Sequence, residues 1–277
     1  MLARPDTVPP AFEARGLTID FPARAGSVRA VDDVSFSASE GERLVLLGRS
    51  GCGKSSILKA LAGFVRPSAG EIRVKGHRIT GAGPDRIVVF QEFDQLLPWK
   101  TVRDNVAFPL RVSTRPGGKL AKAQARELAA EALRKVGLER AIDAFPHTLS
   151  GGMKQRAAIA RALVTNADVL LMDEPFAALD ALTRRQLQED LLALAEAERF
   201  TLLFVTHSIE EAILVGTKLH LLSPHPGRTI ASFDTSEFGL GNSGGARFDG
   251  VVREVNDLLF GQAGGTRPAR ETEAAHV

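Results

Sequence analysis

Gly48-Arg49-Ser50-Gly51-Cys52-Gly53-Lys54-Ser55 has the spacing G-x-x-x-x-G-K-[ST] of a phosphate-cradling loop. Arg43-Leu44-Val45-Leu46-Leu47 before it is a short apolar run of buried-strand character. Ser56-Ile57-Leu58-Lys59-Ala60-Leu61-Ala62-Gly63 after it carries apolar residues at helical spacing. Strand, loop and helix in this order are the context the motif requires. Glycine at 48, 51 and 53 lets backbone N–H groups converge on an anion, because other residues adopt the needed dihedrals only at a cost. The helix start adds partial positive charge. The Lys54 ammonium can reach the outer phosphates of a nucleotide, and the Ser55 hydroxyl can ligate Mg²⁺. A chance match in a chain with 26 glycines is the alternative, and the flanking strand and helix weigh against it.

Around this stretch the chain is ordinary in bulk. Its 277 residues allow one large domain or two small ones, and 44% hydrophobic with 25% charged residues is usual for a soluble globular protein. A net charge of +2 with no Lys/Arg cluster predicts no nucleic-acid partner. No apolar run approaches the roughly 18 residues of a membrane span. Met1-Leu2-Ala3-Arg4-Pro5-Asp6 lacks the apolar core of a secretory signal, and one cysteine excludes an internal disulfide framework. These features predict a soluble cytoplasmic chain, or one peripheral to a membrane through a partner.

Residues 1–11 are Pro-rich and predicted disordered. Phe12 to Phe21 reads as a strand, Ala23 to Arg29 as a polar turn, and Val31 to Ser37 as a second strand. Glu71 to Gly76 and Arg86 to Phe90 read as further strands, so antiparallel-looking strands precede and interrupt the nucleotide core. Residues 101–165 are mostly helical in pattern; Ala125, Leu128, Ala132, Leu133 and Val136 form an amphipathic face. Strand character returns at Asp168–Met172, Thr201–Val205 and Lys218–Leu222. A helix at Ala181–Glu198 lies between the first two, with Leu182, Leu187, Leu191, Leu192 and Leu194 among its apolar positions. Alternating strand and helix predicts a parallel sheet with helices on its faces. The helical stretch at about 92–160 is an insert. Gly239 to Gly245 is a linker, Phe248 to Phe260 an amphipathic helix carrying Val251, Val252, Val255, Leu258 and Leu259 on one side, and 261–277 a disordered tail.

Two further stretches carry chemistry. Val169-Leu170-Leu171-Met172-Asp173-Glu174-Pro175 is an apolar strand delivering two carboxylates at its C-terminal end, where ligands bind in parallel α/β sheets. Asp173 can hold Mg²⁺ and Glu174 can polarise an attacking water, a contribution of about 10²–10⁴-fold in rate. An acidic turn is the bland alternative, weakened by the phosphate loop. Leu149-Ser150-Gly151-Gly152-Met153-Lys154-Gln155-Arg156 places Ser-Gly-Gly at the start of another helix. That is either an ordinary N-cap or a second anion site.

Together these stretches resemble the ATP-binding cassette (ABC) ATPase subunits of transporters, over roughly residues 12–232. The resemblance implies an α/β fold: a P-loop NTPase (RecA-like) core with an N-terminal antiparallel β-subdomain and an inserted α-helical subdomain, followed by a C-terminal extension at 233–260. It implies ATP and Mg²⁺ as ligands, with ATP contacts from Phe21 and from Gly48, Arg49, Ser50, Gly51, Cys52, Gly53, Lys54, Ser55 and Ser56. Phe21 stands where an aromatic stacks on adenine; the family more often has Tyr, and this chain has none. Gln91 corresponds to the glutamine that senses Mg²⁺ and the γ-phosphate, Ser55, Gln91 and Asp173 to the metal-facing set, Glu174 to the base, and His207 to the histidine on the γ-phosphate. Leu149, Ser150, Gly151, Gly152 and Met153 form the signature that closes on the nucleotide of a second subunit in a head-to-tail homodimer. Met153 departs from the more frequent Gln there. Ala178-Leu179-Asp180 corresponds to the loop crossing that interface.

Leu96-Leu97-Pro98-Trp99 followed by Thr101-Val102-Arg103-Asp104-Asn105-Val106, Met172 to Asp180, and Leu222-Ser223-Pro224-His225-Pro226-Gly227-Arg228 resemble the nitrate/sulfonate/taurine importer branch. That branch implies integral-membrane permease subunits docking near 92–105, a periplasmic solute-binding protein acting indirectly, and a peripheral place on the cytoplasmic side of the inner membrane. In this mechanism the solute never touches the chain. A soluble non-transport ABC ATPase and a P-loop small-molecule kinase are the rival readings. The kinase leaves Leu149–Gly152, Gln91 and His207 without a role.

Overall fold

The computed structural model describes residues 8–24, 26–91, 95–114 and 118–261. The expectations at 1–7, at the helical insert's entry (92–94) and in the tail from 262 onward lie outside the described residues.

Two sheets organise the chain. The first contains β1 (Phe12–Ala23), β2 (Gly26–Ala38), β4 (Ala69–Val74) and β5 (His77–Arg78), antiparallel in the order β2-β1-β4-β5. The second contains β3 (Arg43–Leu47), β6 (Arg86–Val89), β7 (Val169–Asp173), β8 (Thr201–Thr206), β9 (Lys218–Leu222) and β10 (Thr229–Asp234), in the order β10-β9-β3-β8-β7-β6. Its strands run parallel except β10, which pairs antiparallel with β9 at the edge. The polar turn expected over 23–29 is far shorter than its composition indicates. Ala23 pairs with Gly26 and Phe21 with Val28, so the strands run almost to the tip.

Both faces of the second sheet are covered, which is why its strands read as continuous apolar runs rather than alternating ones. Successive side chains point to opposite faces. Leu44 and Leu46 of β3 join Leu203 and Val205 of β8 on one face, against α1 (Lys54–Leu61) and the antiparallel sheet. Val45 and Leu47 join Leu202 and Phe204 on the other. There α4 (Gly151–Leu163), α5 (Ala181–Glu198), α6 (Ile209–Val215) and α7 (Ala246–Phe260) lie. Burying a side chain of this size is worth about 1.5–3 kcal/mol, so a two-faced sheet is the main reservoir of stability.

The insert is a cluster of α2 (Val102–Val112), α3 (Lys122–Lys135) and α4 packed on one another. Its core is built largely from alanine: Ala125, Ala129 and Ala132 of α3 meet Ala107, Ala157 and Ala158. Leu128, expected on the buried face, is exposed, and Ala129 takes the inward position. Small residues let helices approach closely, and Leu at 128 does not fit that seam. Leu182 of α5 is likewise 85% exposed. The C-terminal segment is joined to the core: Phe248, Val255 and Leu259 of α7 are buried in it, and Phe238 meets Phe248 edge-on at 5.6 Å.

Candidate nucleotide site

β3 ends at Leu47 and the chain turns at once into the phosphate loop. Gly53 caps α1 with φ 95° and no side-chain cap, so the first N–H groups of the helix carry no internal side-chain partner. A Cβ there would meet the Ala30 carbonyl oxygen and Val31 Cγ2 at 2.7 Å, so glycine is required by space as well as by dihedral. Gly48 is required by space alone: a Cβ would lie 2.6 Å from Cys52 Sγ. Cys52 points inward, 1% exposed, and burial pushes its thiol up. Arg49, Ser50 and Gly51 are exposed at the rim, and Ser55 and Ser56 are half-buried on the first turn of α1. Lys54 is buried and donates to the Gly48 carbonyl at 2.7 Å and the Arg49 carbonyl at 3.1 Å, folding its ammonium over the loop.

The loop meets the second motif through α1 and β7. Ser55 Oγ donates to Asp173 Oδ1 at 2.9 Å. Burial pushes the Asp173 carboxyl up and the neighbouring Glu174 charge adds to that, while the Ser55 bond opposes it. A hydroxyl and a carboxylate converging from two elements are the hard oxygen donors Mg²⁺ takes when phosphates complete its shell. Among the described residues no group of three or more His, Cys, Asp or Glu could hold a metal alone. The donor set therefore fits an ion that arrives with a nucleotide.

Glu174 follows directly. Its φ is 44°, a left-handed conformation that costs a non-glycine residue about 1–3 kcal/mol, and its N–H is fixed to the Val205 carbonyl at 3.0 Å. This turn aims the carboxylate at His207 on the end of β8, with Glu174 Oε2 and His207 Nδ1 2.9 Å apart. An imidazole carrying its proton on Nδ1 donates to that carboxylate and leaves Nε2 free. Phe21 lies exposed on β1, not in the core, with its ring available for stacking. Gln91 is exposed just after β6.

Ser150 and Asp180 stand apart from this cluster. Ser150 Oγ accepts from Met153 N at 3.3 Å and caps α4; Leu149 is buried, and Met153 packs against the helical core. The fold ties this second helix start to α5: a Cβ on Gly152 would come within 2.7 Å of Thr183 Cγ2. Asp180 caps α5 by accepting from Thr183 N at 3.0 Å, and the Thr183 side chain first, then this N–H, hold its carboxyl below the usual range.

Several supporting residues escape a reading of the motifs. Glu211 is buried on α6 and receives Gln188 Nε2 at 2.9 Å and the Thr206 hydroxyl; Thr206 Oγ1 also accepts from Ser208 N at 3.1 Å. His207 is thus bracketed by two pinned neighbours. The signal was present as Ser208-Ile209-Glu210-Glu211, a helix-start pattern. Arg161 of α4 donates to the Gln95 carbonyl at 2.6 Å, while Gln95 Nε2 donates to the Phe90 carbonyl at 3.0 Å beside Gln91. Asn105, fully buried, accepts from Leu97 N at 2.7 Å and donates to Leu97 O at 3.0 Å and Lys100 O at 3.1 Å. That staple presents Trp99 outward, 71% exposed, while Leu96 turns inward.

The ABC transporter family profile matches residues 31–177. The taurine import ATP-binding protein TauB of Rhizobium johnstonii is 52% identical over 218 residues, covering 78% of this chain and 81% of the relative. The nitrate import ATP-binding protein NrtD of Synechococcus elongatus is 43% identical over 219 residues, covering 79% and 78%. A dimeric ATP-binding cassette solved in a post-hydrolysis state with ADP and Pi superposes with TM-score 0.69 at 28% identity, covering 81% of this chain and 98% of that one. With the phosphate loop bonded to the carboxylate pair, the histidine beside it, and these relatives along most of its length, the chain belongs to the ABC transporter family.

Proposed function

We propose that this chain is the ATP-hydrolysing subunit of an ABC importer and that it energises uptake of a small nitrate-, sulfonate- or taurine-like solute through separate permease subunits. The observation that carries the reading is the joining of Ser55 to Asp173 and of Glu174 to His207 beside an uncapped α1. The solute class rests on the relatives named for taurine and nitrate import. In the proposed mechanism Lys54 leaves its loop carbonyls for the phosphates, Phe21 stacks on the base, and Ser55, Asp173 and Gln91 face Mg²⁺. The ion supplies charge neutralisation on the phosphates when bound. Glu174 takes the proton of the attacking water and His207 holds Glu174 and the γ-phosphate in register. Ser150 and Gly152 of a second copy close the site, with Asp180 at the seam. The helical insert, residues 92–160 of a cassette spanning 12–232, then carries the motion to a permease helix seated near Trp99. A periplasmic binding protein delivers the solute on the far side of the membrane. No helix among the described residues is long and apolar enough to cross a membrane; in this reading attachment from the cytoplasmic side runs through the permease.

The test uses Glu174→Gln protein on a sizing column with and without Mg-ATP. An ATP-dependent shift from monomer to dimer, abolished by Lys54→Ala, is the expected result. A monomer that still turns over ATP would overturn the roles of Glu174 and Ser150 and raise the kinase reading.

A further inference from the structure

We infer that Phe260, on the last turn of α7, is a positioning residue for the phosphate loop, acting through Arg49. The inference rests on the reading of that loop as the ATP site and extends it to a helix with no assigned role. Position 49 is one of the free places of the G-x-x-x-x-G-K-[ST] spacing, so the phosphate cradle makes no demand for a cation there. The Arg49 guanidinium instead lies over the Phe260 ring, its Cζ 5.7 Å from the centroid, within the range of a cation–π contact. A second attraction acts in the same direction. The C-terminus of a helix is its negative end, and α7 has no basic residue in its last turn, with acidic Asp257 nearby. Arg49 supplies the missing cation from a distant part of the chain. Its backbone also belongs to the loop: the Arg49 carbonyl accepts from Lys54 Nζ at 3.1 Å and from Cys52 N at 3.3 Å. Fixing the side chain therefore fixes one of the two carbonyls on which the catalytic ammonium rests. Meanwhile α7 is anchored without Phe260, because Phe248, Val255 and Leu259 are the buried positions and the Phe260 ring is half exposed.

The experiment measures Mg-ATP affinity of the full chain in a Glu174→Gln background, together with melting temperature. Phe260→Leu keeps apolar bulk but removes the ring face, and should weaken Mg-ATP binding about two- to five-fold with little change in melting temperature. Phe260→Tyr should restore it. Combining Phe260→Leu with Arg49→Met should weaken binding no further than Arg49→Met alone. An unchanged affinity in Phe260→Leu, or additive losses in the double variant, would overturn the inference while leaving the ATP site standing. Absence of Mg-ATP binding in the parent protein would overturn both.

Discussion

The two helices that begin at the phosphate loop and at Ser150-Gly151-Gly152 meet the problem of their free N–H groups in opposite ways. α1 begins at Gly53 with no side-chain cap, its cradle held open by positive φ and by glycines pressed against backbone and thiol. α4 begins at Ser150, whose own hydroxyl satisfies Met153 N. The free N–H groups of an uncapped helix start favour an anion, so α1 suits the phosphates of the proposed nucleotide. The α4 start is complete within one chain and still has its hydroxyl proton to donate. That suits a surface that waits for a second copy, as the proposed dimer requires.

Glycine substitutions should break the two starts unequally. Gly53→Ala places a Cβ against a backbone carbonyl in a strained conformation, so it should cost about 2–6 kcal/mol in a denaturant titration. Gly152→Ala meets side chains alone, the Thr183 methyl at 2.7 Å and Leu187 Cδ1 at 3.8 Å, in helical backbone, and should cost less, about 1–3 kcal/mol, while ATP turnover falls.

Acid sharpens the contrast through β9. His220 is buried against Phe36, bonded to Ser232 Oγ at 2.9 Å and Thr229 Oγ1 at 3.1 Å, and burial lowers its pKa to about 4 from 6.5. Its folded value is depressed, so the stability it contributes is full above pH 6.5 and is lost as pH falls toward 4. The loss reaches about 3 kcal/mol. His220 pairs in register with Leu46, two residues before Gly48. Hydrogen exchange should therefore rise at the phosphate loop before it rises at the start of α4, and His220→Gln should flatten that part of the pH profile.

Ser150→Ala should cost about 1 kcal/mol for the lost cap, abolish ATP-dependent dimerisation in the Glu174→Gln background, and leave nucleotide binding by the single chain intact. The smallest effect concerns Cys52. Because the thiol is buried and its ionisation disfavoured, alkylation at neutral pH should be slow in the native chain and fast in urea, and Mg-ATP should slow it further. Equal rates in both states would show the loop to be far more open than its packing implies.

Motif residues were legible because their chemistry fixes their type. The helix at Ala181–Glu198 was legible because Leu187, Leu191 and Leu194 mark one face over about two turns. The insert was harder. The inward face of α3 is built mostly from alanine, so Leu128, the more apolar residue, misdirected the face assignment. β10 gave no apolar alternation, since Thr229 and Ser232 serve His220 rather than a core. α6 is seven residues long with five of them buried, too short and too evenly apolar for a period to show. The partners of Glu211, Gln95 and Arg161 come from distant elements, and no local pattern encodes such meetings.

The Lys54 ammonium rests on two carbonyls of its own loop. A bare buried cation would be costly, but this one is already solvated by the backbone. It also sets a threshold for admission. In the proposed mechanism a guest must outcompete two peptide dipoles at once, which favours polyphosphates over single small anions and makes charge density, rather than the base, the first criterion of selection.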